Sequence, residues 1–354
     1  MVALENYGFL VSILCETYNQ SQYITDTLDG FVLQQSSFPF VAVIIDDAST
    51  DGEQDVIKYY IKRNFDCSTD SDFRQWETED AYWTFARHLK NESCYFVAVY
   101  LKKNLYEDLE KKEAVVKDWF SSKYKAICEG DDYWTDPQKL QKQVDFLEVH
   151  DDYCMCCTAF SQTFEGKEED KQIIQIDLVD ITIDDLLNER WIGTLTTLFR
   201  PELLSDYTPP FPNLPFGDLP MWFHLAMKGK IKYLKDVTAN YRRLKESACH
   251  FTDSKKDYVF SLEAMRVREY YARVANKVNV AQPVFSRKSH YYLDECYKNK
   301  WFDFPIGILW HFVKEYGHPS GFDKLKYWGM KSNLRYAISN GIITILKRRS
   351  GVSK

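Results

Sequence analysis

Along the first 160 residues, short unbroken apolar runs alternate with segments whose apolar positions recur at helical spacing. FLVSILC, residues 9–15, is rich in strand formers and stops at the polar turn Glu16-Thr17-Tyr18-Asn19. Ile24, Leu28, Phe31 and Val32 then share one helical face. A second run at 40–45 ends in Asp46-Asp47, and a helical pattern covers 53–64. Further strands are expected at 95–101, 124–128 and 153–160, with a helical stretch between the first two. Asp136-Pro137 predicts a helix start, Asp as N-cap and Pro in the first position, with Leu140, Val144 and Leu147 on the buried face. Apolar strands without polar alternation, separated by helices, predict a mostly parallel sheet covered on both faces. Residues 66–93 read as an insertion, 165–190 as a charged loop, and the chain from 255 onward as helical.

Composition narrows the class. The 354 residues are 45% hydrophobic and 16% aromatic, as expected of a globular enzyme of one large or two modest domains. A net charge of −7 argues against a nucleic-acid partner, since phosphate neutralisation needs a basic surface. The segment 321–354 reverses the sign, with eight Lys or Arg against Asp323 alone. No basic start followed by a long apolar run opens the chain, and stretches such as 304–313 fall short of the roughly 20 residues that span a bilayer. A reduced, cytoplasmic protein is expected. Cys154, Cys156 and Cys157 have no second cysteine pair at ligand spacing, so core packing is their expected role.

The chemistry is expected in the carboxylates. In doubly wound sheets ligands bind at the carboxyl ends of strands, and here two strands run into paired acids, Asp46-Asp47 and Asp131-Asp132, the latter preceded by Glu129. One such pair is ordinary loop chemistry; two predict a site. A calcium loop starting at Asp47 is excluded because its twelfth position is Lys58. No two glycines stand two apart and no Gly-Lys-Ser/Thr element occurs, so the dinucleotide fingerprint and the P-loop are also excluded.

VSILCETYNQ, VIIDDASTDG and EGDDYW with its DPxKL helix start, in this order and spacing, resemble the donor half of family 2 glycosyltransferases of the bacterial surface-polysaccharide type. The resemblance implies the A-type glycosyltransferase fold: a Rossmann-like, mostly parallel sheet flanked by helices. It divides the chain into a catalytic domain, 1–250 (donor half 1–160, acceptor half 161–250), and a helical extension, 251–354. By resemblance, Asp131 is the ligand of Mn²⁺ or Mg²⁺ with Asp132 beside it, Glu129 stands at the ribose-contacting acid, and Asp47 is the uracil-binding acid. Thr17 and Tyr18 then line the base, and Asp46, Asp51 and Asn19 either assist or hold turns. Asp218, in PFGDLPMWFHLAMKG, matches the general base of an inverting displacement or is an N-cap. WIGTLTTLFR at 191–200 resembles the strand before the acceptor loop. Tyr241, Arg242 and Arg243 match the diphosphate-contacting segment, where Leu244 replaces the usual His and His250 is a substitute. Asn104 lacks the glycine that usually follows it; Lys111 and Lys112 reach phosphate or lie on a solvated face.

The implied activity is metal-dependent, inverting transfer from a nucleoside diphosphate sugar, UDP-linked in kind, to a glycan or lipid-linked acceptor of the cell surface. A nucleotidyltransferase would need a Lys- or Arg-rich loop where Glu16-Thr17-Tyr18-Asn19 stands; a non-catalytic sugar-nucleotide-binding protein is the other alternative. SNLRYAISNGIITILKRRS near the end reads as a loosely amphipathic basic helix. Such a helix is either solvated or makes peripheral contact with the inner face of the membrane, each cation adding about 1 kcal/mol near anionic headgroups.

Overall fold

The structure, a computed structural model, describes residues 7–165, 167–245 and 253–349. These gather into two compact units, one of Met1–Thr182, Trp191–Tyr207 and His224–Leu244, the other of Ile183–Arg190, Thr208–Phe223 and Lys245–Lys354.

The first unit opens with the expected alternation: β1 (Val11–Thr17), α1 (Ile24–Val32), β2 (Phe40–Asp46) and α2 (Glu53–Asn64). β3 (Arg74–Glu77), β4 (Ala81–Arg87), β5 (Cys94–Leu101), α3 (Leu109–Val116) and β6 (Tyr124–Ile127) follow. Next come β7 (Tyr133–Trp134), α4 (Lys139–Glu148), β8 (Tyr153–Phe164), β9 (Lys167–Ile174) and β10 (Asp180–Ile181). The short α5 (Ile183–Leu187) belongs to the second unit; the first resumes with β11 (Leu198–Phe199), and α6 (Asp218–Lys228), in the second unit up to Phe223, leads into β12 (Lys230–Arg243).

All twelve described strands join one sheet, ordered β10-β12-β8-β11-β6-β1-β2-β5-β4-β3, with β7 on β12 and β9 on β8. The heart of it, β6-β1-β2-β5, is parallel. Every residue of β2 and β5 is buried, which explains their unbroken apolar runs. One face packs Phe40, Ala42 and Ile44 against Leu28, Phe31, Ile57 and Ile61 of α1 and α2. The other packs Val41, Val43 and Ile45 with Trp83, Val99, Val116 and Trp119.

Three local expectations change. Residues 66–93 are not an insertion without a role: β3 and β4 form a hairpin that extends the sheet antiparallel to β5. Trp76 and Trp83 stack across it at 5.4 Å, the cross-strand aromatic pairing that a polar average along the segment conceals. Within 165–190, β9 pairs with β8, β10 with β12, and α5 follows. The helix expected from Pro137 begins at Lys139; Asp136 caps the preceding turn, its Oδ1 accepting from Gln138 N at 2.8 Å.

The second unit holds the long helices: α7 (Ser254–Val274), α8 (Val278–Asn299), α9 (Ile306–Tyr316), α10 (Gly321–Gly329) and α11 (Asn333–Arg349). Leu262, Met265, Phe285, Leu293, Phe312 and Val313 are fully buried in it. Glu269 of α7 ties down α9 by accepting from Tyr316 Oη at 2.5 Å and lying 2.8 Å from His311 Nε2. The helical reading beyond 255 holds for the described residues.

Candidate active site at the carboxyl ends of the central strands

β1 lies between β2 and β6, with Thr17 opposite Asp46 and Leu14 opposite Ile127. The chain therefore leaves both neighbours at the same rim. Asp47 N donates to Thr17 O and Gly130 N donates to Glu16 O, each at 3.0 Å, so the last carbonyls of β1 hold both acidic loops. With strands about 4.8 Å apart, Asp47 and Asp131 emerge on the order of 10 Å from one another on either side of β1.

Gly130 makes this approach feasible. A Cβ there would sit 2.5 Å from Thr17 Cβ and 2.7 Å from Gln20 Oε1, closer than real side chains come. Thr17 is buried, and its hydroxyl reaches Gln20 Oε1 at 2.8 Å and Glu53 Oε1, donating to one at a time. Glu53, the first residue of α2, is fully buried and also accepts from Gln20 N at 3.0 Å and Ser49 Oγ at 2.8 Å. Burial pushes its carboxyl pKa up despite these bonds. Glu53 has no role in the sequence reading beyond opening the helical pattern at 53–64; its place directly after Asp51-Gly52 is the available signal.

The two loops over the rim are sewn together. Asn19 Oδ1 accepts from Thr50 N at 2.8 Å, and Asp51 Oδ2 accepts from Ser21 N at 2.9 Å. Asn19 and Asp51 thus hold turns. Burial would raise the Asp51 pKa, but the hydrogen bonds from Ser21 and Glu53 outweigh it and leave it lowered. Asp46 faces inward, Oδ1 accepting from Gln54 Nε2 at 2.6 Å and Ser49 N at 3.1 Å, while its buried Oδ2 has no protein partner. Ala48 takes φ 60, a conformation costing a non-glycine residue about 1–2 kcal/mol, so the loop beyond Asp47 is held there by its bonds.

Asp47 is 4% exposed. Its Oδ1 accepts from Leu105 N at 2.6 Å and its Oδ2 from Lys112 Nζ at 2.8 Å; each oxygen keeps a second lone pair. Lys112 is buried, not solvated, and lies 3.6 Å from Glu16 Oε2. Asn104 holds the Asp47 carbonyl at 3.0 Å, so the segment without the usual glycine still closes on this acid. Lys111 turns away to Asp80, 2.8 Å off. Tyr18 is 47% exposed at the rim.

The second acidic loop divides its carboxylates by role. Asp131 is half-buried, and burial raises its pKa against the hydrogen bond of Gln20 and the charge of Arg242. Glu129 is half-buried beside it. Asp132 is buried and points into the fold: its Oδ1 accepts from Arg242 N at 2.7 Å and its carbonyl from Thr27 Oγ1 at 2.6 Å. Burial, with the charges of Asp131 and Glu129, lifts its pKa well above the carboxylate range. The metal-ligand role expected for Asp132 does not fit this position; it anchors β12.

Arg242 belongs to the same cluster. Its guanidinium donates to Asp131 O at 2.8 Å, pairs with Asp26, and lies over the rings of Tyr133 at 4.3 Å and Tyr23 at 5.1 Å. Arg243 points to the other side of β12, exposed, 5.6 Å over Phe164. So the strand brings Arg242 to the acids and carries Arg243 away. Tyr241 packs edge-on to Trp191 at 5.4 Å. His250 lies outside the described residues.

Asp218, in the second unit, is the first residue of α6 and is half-buried. Burial raises its pKa, opposed by the Leu219 backbone N–H and the charge of Arg268. Residues 191–200 are mainly a turn of 3-10 helix and the two-residue β11. The cysteines of β8 are buried, and burial pushes the Cys154 and Cys156 thiols up to about 12, as inert core groups. Among the described residues no three His, Cys, Asp or Glu side chains converge as a metal cluster.

No protein-family model matches the chain. Uncharacterized proteins of Mycobacterium bovis and Mycobacterium tuberculosis are each 30% identical over 256 residues, 70% of this chain and 63% of theirs. The chain thus spans less than two thirds of these curated relatives. TuaG of Bacillus subtilis, provisionally named a teichuronic acid biosynthesis glycosyltransferase, is 28% identical over 247 residues, 69% of this chain and 83% of TuaG. The crystal structure of S. aureus TarS 1-349 in complex with UDP-GlcNAc superposes with a TM-score of 0.60 at 16% identity, covering 96% of this chain and 92% of that one. The complex with UDP gives 0.52 at 18% identity, over 78% and 71%. At such identities the superposition shows the fold: the A-type glycosyltransferase architecture, with a helical C-terminal region, is present. The resemblance to glycosyltransferases of the bacterial surface-polysaccharide type, read from three motifs, is supported by the likeness to TuaG and TarS.

Proposed function

We propose that this protein is an inverting glycosyltransferase that moves a sugar from a nucleoside diphosphate, UDP, to a glycan or lipid-linked acceptor in cell-surface polysaccharide synthesis. The observation that carries the reading is the placement of Asp47 and Asp131 at one rim on either side of β1, latched through Thr17 and Gly130. TarS, of the same fold, was crystallised with UDP and with UDP-GlcNAc, which favours uridine.

Asp47, anchored by Leu105 N and Lys112, offers its remaining lone pairs to the imino N–H of uracil. Thr17 and Tyr18 border the base, and Glu129 meets the ribose. Arg242 holds the acidic loop in place and adds positive charge beside the diphosphate.

A divalent cation fits this loop through one protein ligand. The Asp131 carboxylate is half-buried and its anion is poorly solvated, a setting in which Mg²⁺ or Mn²⁺ is a favourable partner, completing its shell from phosphate and water. Bound there, the ion would neutralise charge on the departing diphosphate.

In the reaction, the acceptor hydroxyl oxygen attacks the anomeric carbon as the bond from that carbon to the β-phosphate oxygen breaks. UDP leaves with the bonding pair, the configuration inverts, and the hydroxyl proton passes to a carboxylate base, the role that the motif match gives to Asp218. The site works in the cytoplasm, peripheral to the inner membrane face, where the basic C-terminal tail makes contact.

A panel of nucleotide sugars with Mn²⁺, read by thermal stabilisation, tests the reading. A donor held at 100 times its dissociation constant adds about 2.7 kcal/mol. UDP-sugars should stabilise the protein, and stabilisation by no nucleotide sugar would overturn the proposal.

A further inference from the structure

The last described helix of the second unit is apolar on the side it turns outward. α11 packs through Tyr336, Ser339 and Ile343: Ser339 Oγ bonds Tyr297 Oη at 2.8 Å, and the Tyr336 ring lies 4.7 Å from that of Tyr297. Gly329 at the end of α10 permits this seat, since a Cβ there would press to 3.0 Å against the Tyr297 ring. Around the outward side and one flank Leu334, Ile338, Ile342, Ile345 and Leu346 are exposed, Leu334 by 72% and Ile345 by 53%. At about 100° per residue these five cover about 120° of the helix surface.

The surroundings are cationic. Eight Lys or Arg and no acid follow Asp323. Lys331 is exposed just before the helix, and Arg335, at about 100° on the same reckoning, is exposed within the stripe and lies 5.8 Å over the half-exposed Trp328 ring. An aliphatic stripe carrying a cation long enough to reach the headgroups, with an indole beside it, matches the boundary between headgroups and acyl chains. A second copy of this chain fits poorly, because it would set one basic face against another. No described helix is long and apolar enough to cross a membrane.

We propose that α11 lies in the plane of an anionic phospholipid surface, its five exposed aliphatic residues among the acyl chains and Lys331 and Arg335 at the headgroups. This rests on the peripheral membrane contact of the proposed function and gives that contact its residues and its lipid class; it is independent of the donor chemistry.

The full chain is sedimented with vesicles of phosphatidylcholine alone or mixed with phosphatidylglycerol. It should pellet with the mixed vesicles only, and Ile338→Glu with Ile342→Glu should lower the bound fraction about tenfold while leaving the circular dichroism spectrum unchanged. Lys331→Gln with Arg335→Gln, which keeps the stripe, should weaken binding several-fold and flatten its salt dependence. Equal binding by the glutamate variant, no binding by the wild type, or a dimer in sedimentation velocity that the glutamates dissociate would overturn the proposal. UDP-sugar binding is measured in the same preparation, so failure of the donor reading registers there and failure of the membrane face registers in the pellet.

Discussion

Gly130 and Thr17 meet so closely that the structure leaves no volume for a side chain between them: a Cβ on Gly130 would fall 2.5 Å from Thr17 Cβ. Through this contact the loop carrying Asp131 rests on the end of β1, whose other edge carries Asp47. Replacing Gly130 by Ala forces the loops apart. Overpacking of this kind costs about 1–3 kcal/mol, so urea denaturation of Gly130→Ala should show that loss together with weaker UDP binding.

Asp132 is expected to be structural. Asp132→Asn keeps an oxygen for Arg242 N and should leave stability nearly unchanged, whereas Asp132→Ala strands that buried N–H and should cost about 1–3 kcal/mol. Chemical denaturation of the two variants checks this, and equal stability of both would show that the bond does not anchor β12.

Lys139 gives the fold a pH signature. Fully buried, with Nζ 2.8 Å from Gln143 Oε1 and 4.2 Å over the Trp134 ring, it has a pKa pushed down by burial to about 7. The unfolded chain holds this proton up to a pH of about 10.4 and the folded chain only to about 7, so this lysine destabilises the fold below pH 7 and progressively less as pH rises. The stability of wild type relative to Lys139→Met should therefore rise by about 1.4 kcal/mol per pH unit between pH 7 and 9. A pH-independent difference would show that the lysine is not desolvated.

Asp218 as base predicts a kinetic split. Asp218→Asn should lower turnover by about 10²- to 10⁴-fold while UDP binding persists. Its pKa is raised by burial, and a base acts only when deprotonated, so wild-type turnover should fall as pH drops through a value above that of an ordinary aspartate. Loss of UDP binding with turnover would mark the residue as structural, an N-cap.

The central alternation of strands and helices was legible because β2 and β5 are buried on both faces and so carry no polar alternation to confuse them. The meeting of Asp47 and Asp131 was legible for the same reason: paired acids closing two parallel strands can only lie at one rim. The β3–β4 hairpin was not, because its exposed positions carry charge and its pairing partner β5 follows later in the chain. Which carboxylate faces out was also hidden. Asp132 turns inward through a bond from Arg242, 110 positions away, and local pattern cannot report such a partner. Glu53 escaped as a site residue because it looked like an ordinary surface position of a helix, and Lys112, weighed between phosphate and solvent, turned out to be a buried partner of Asp47.

Calorimetric titration with UDP, with and without Mn²⁺, on wild type, Asp47→Asn and Asp131→Asn tests the shared rim most directly. The account predicts that Asp47→Asn weakens UDP binding whether or not Mn²⁺ is present, while Asp131→Asn abolishes only the increment that Mn²⁺ adds. Wild-type affinity in both variants would contradict it.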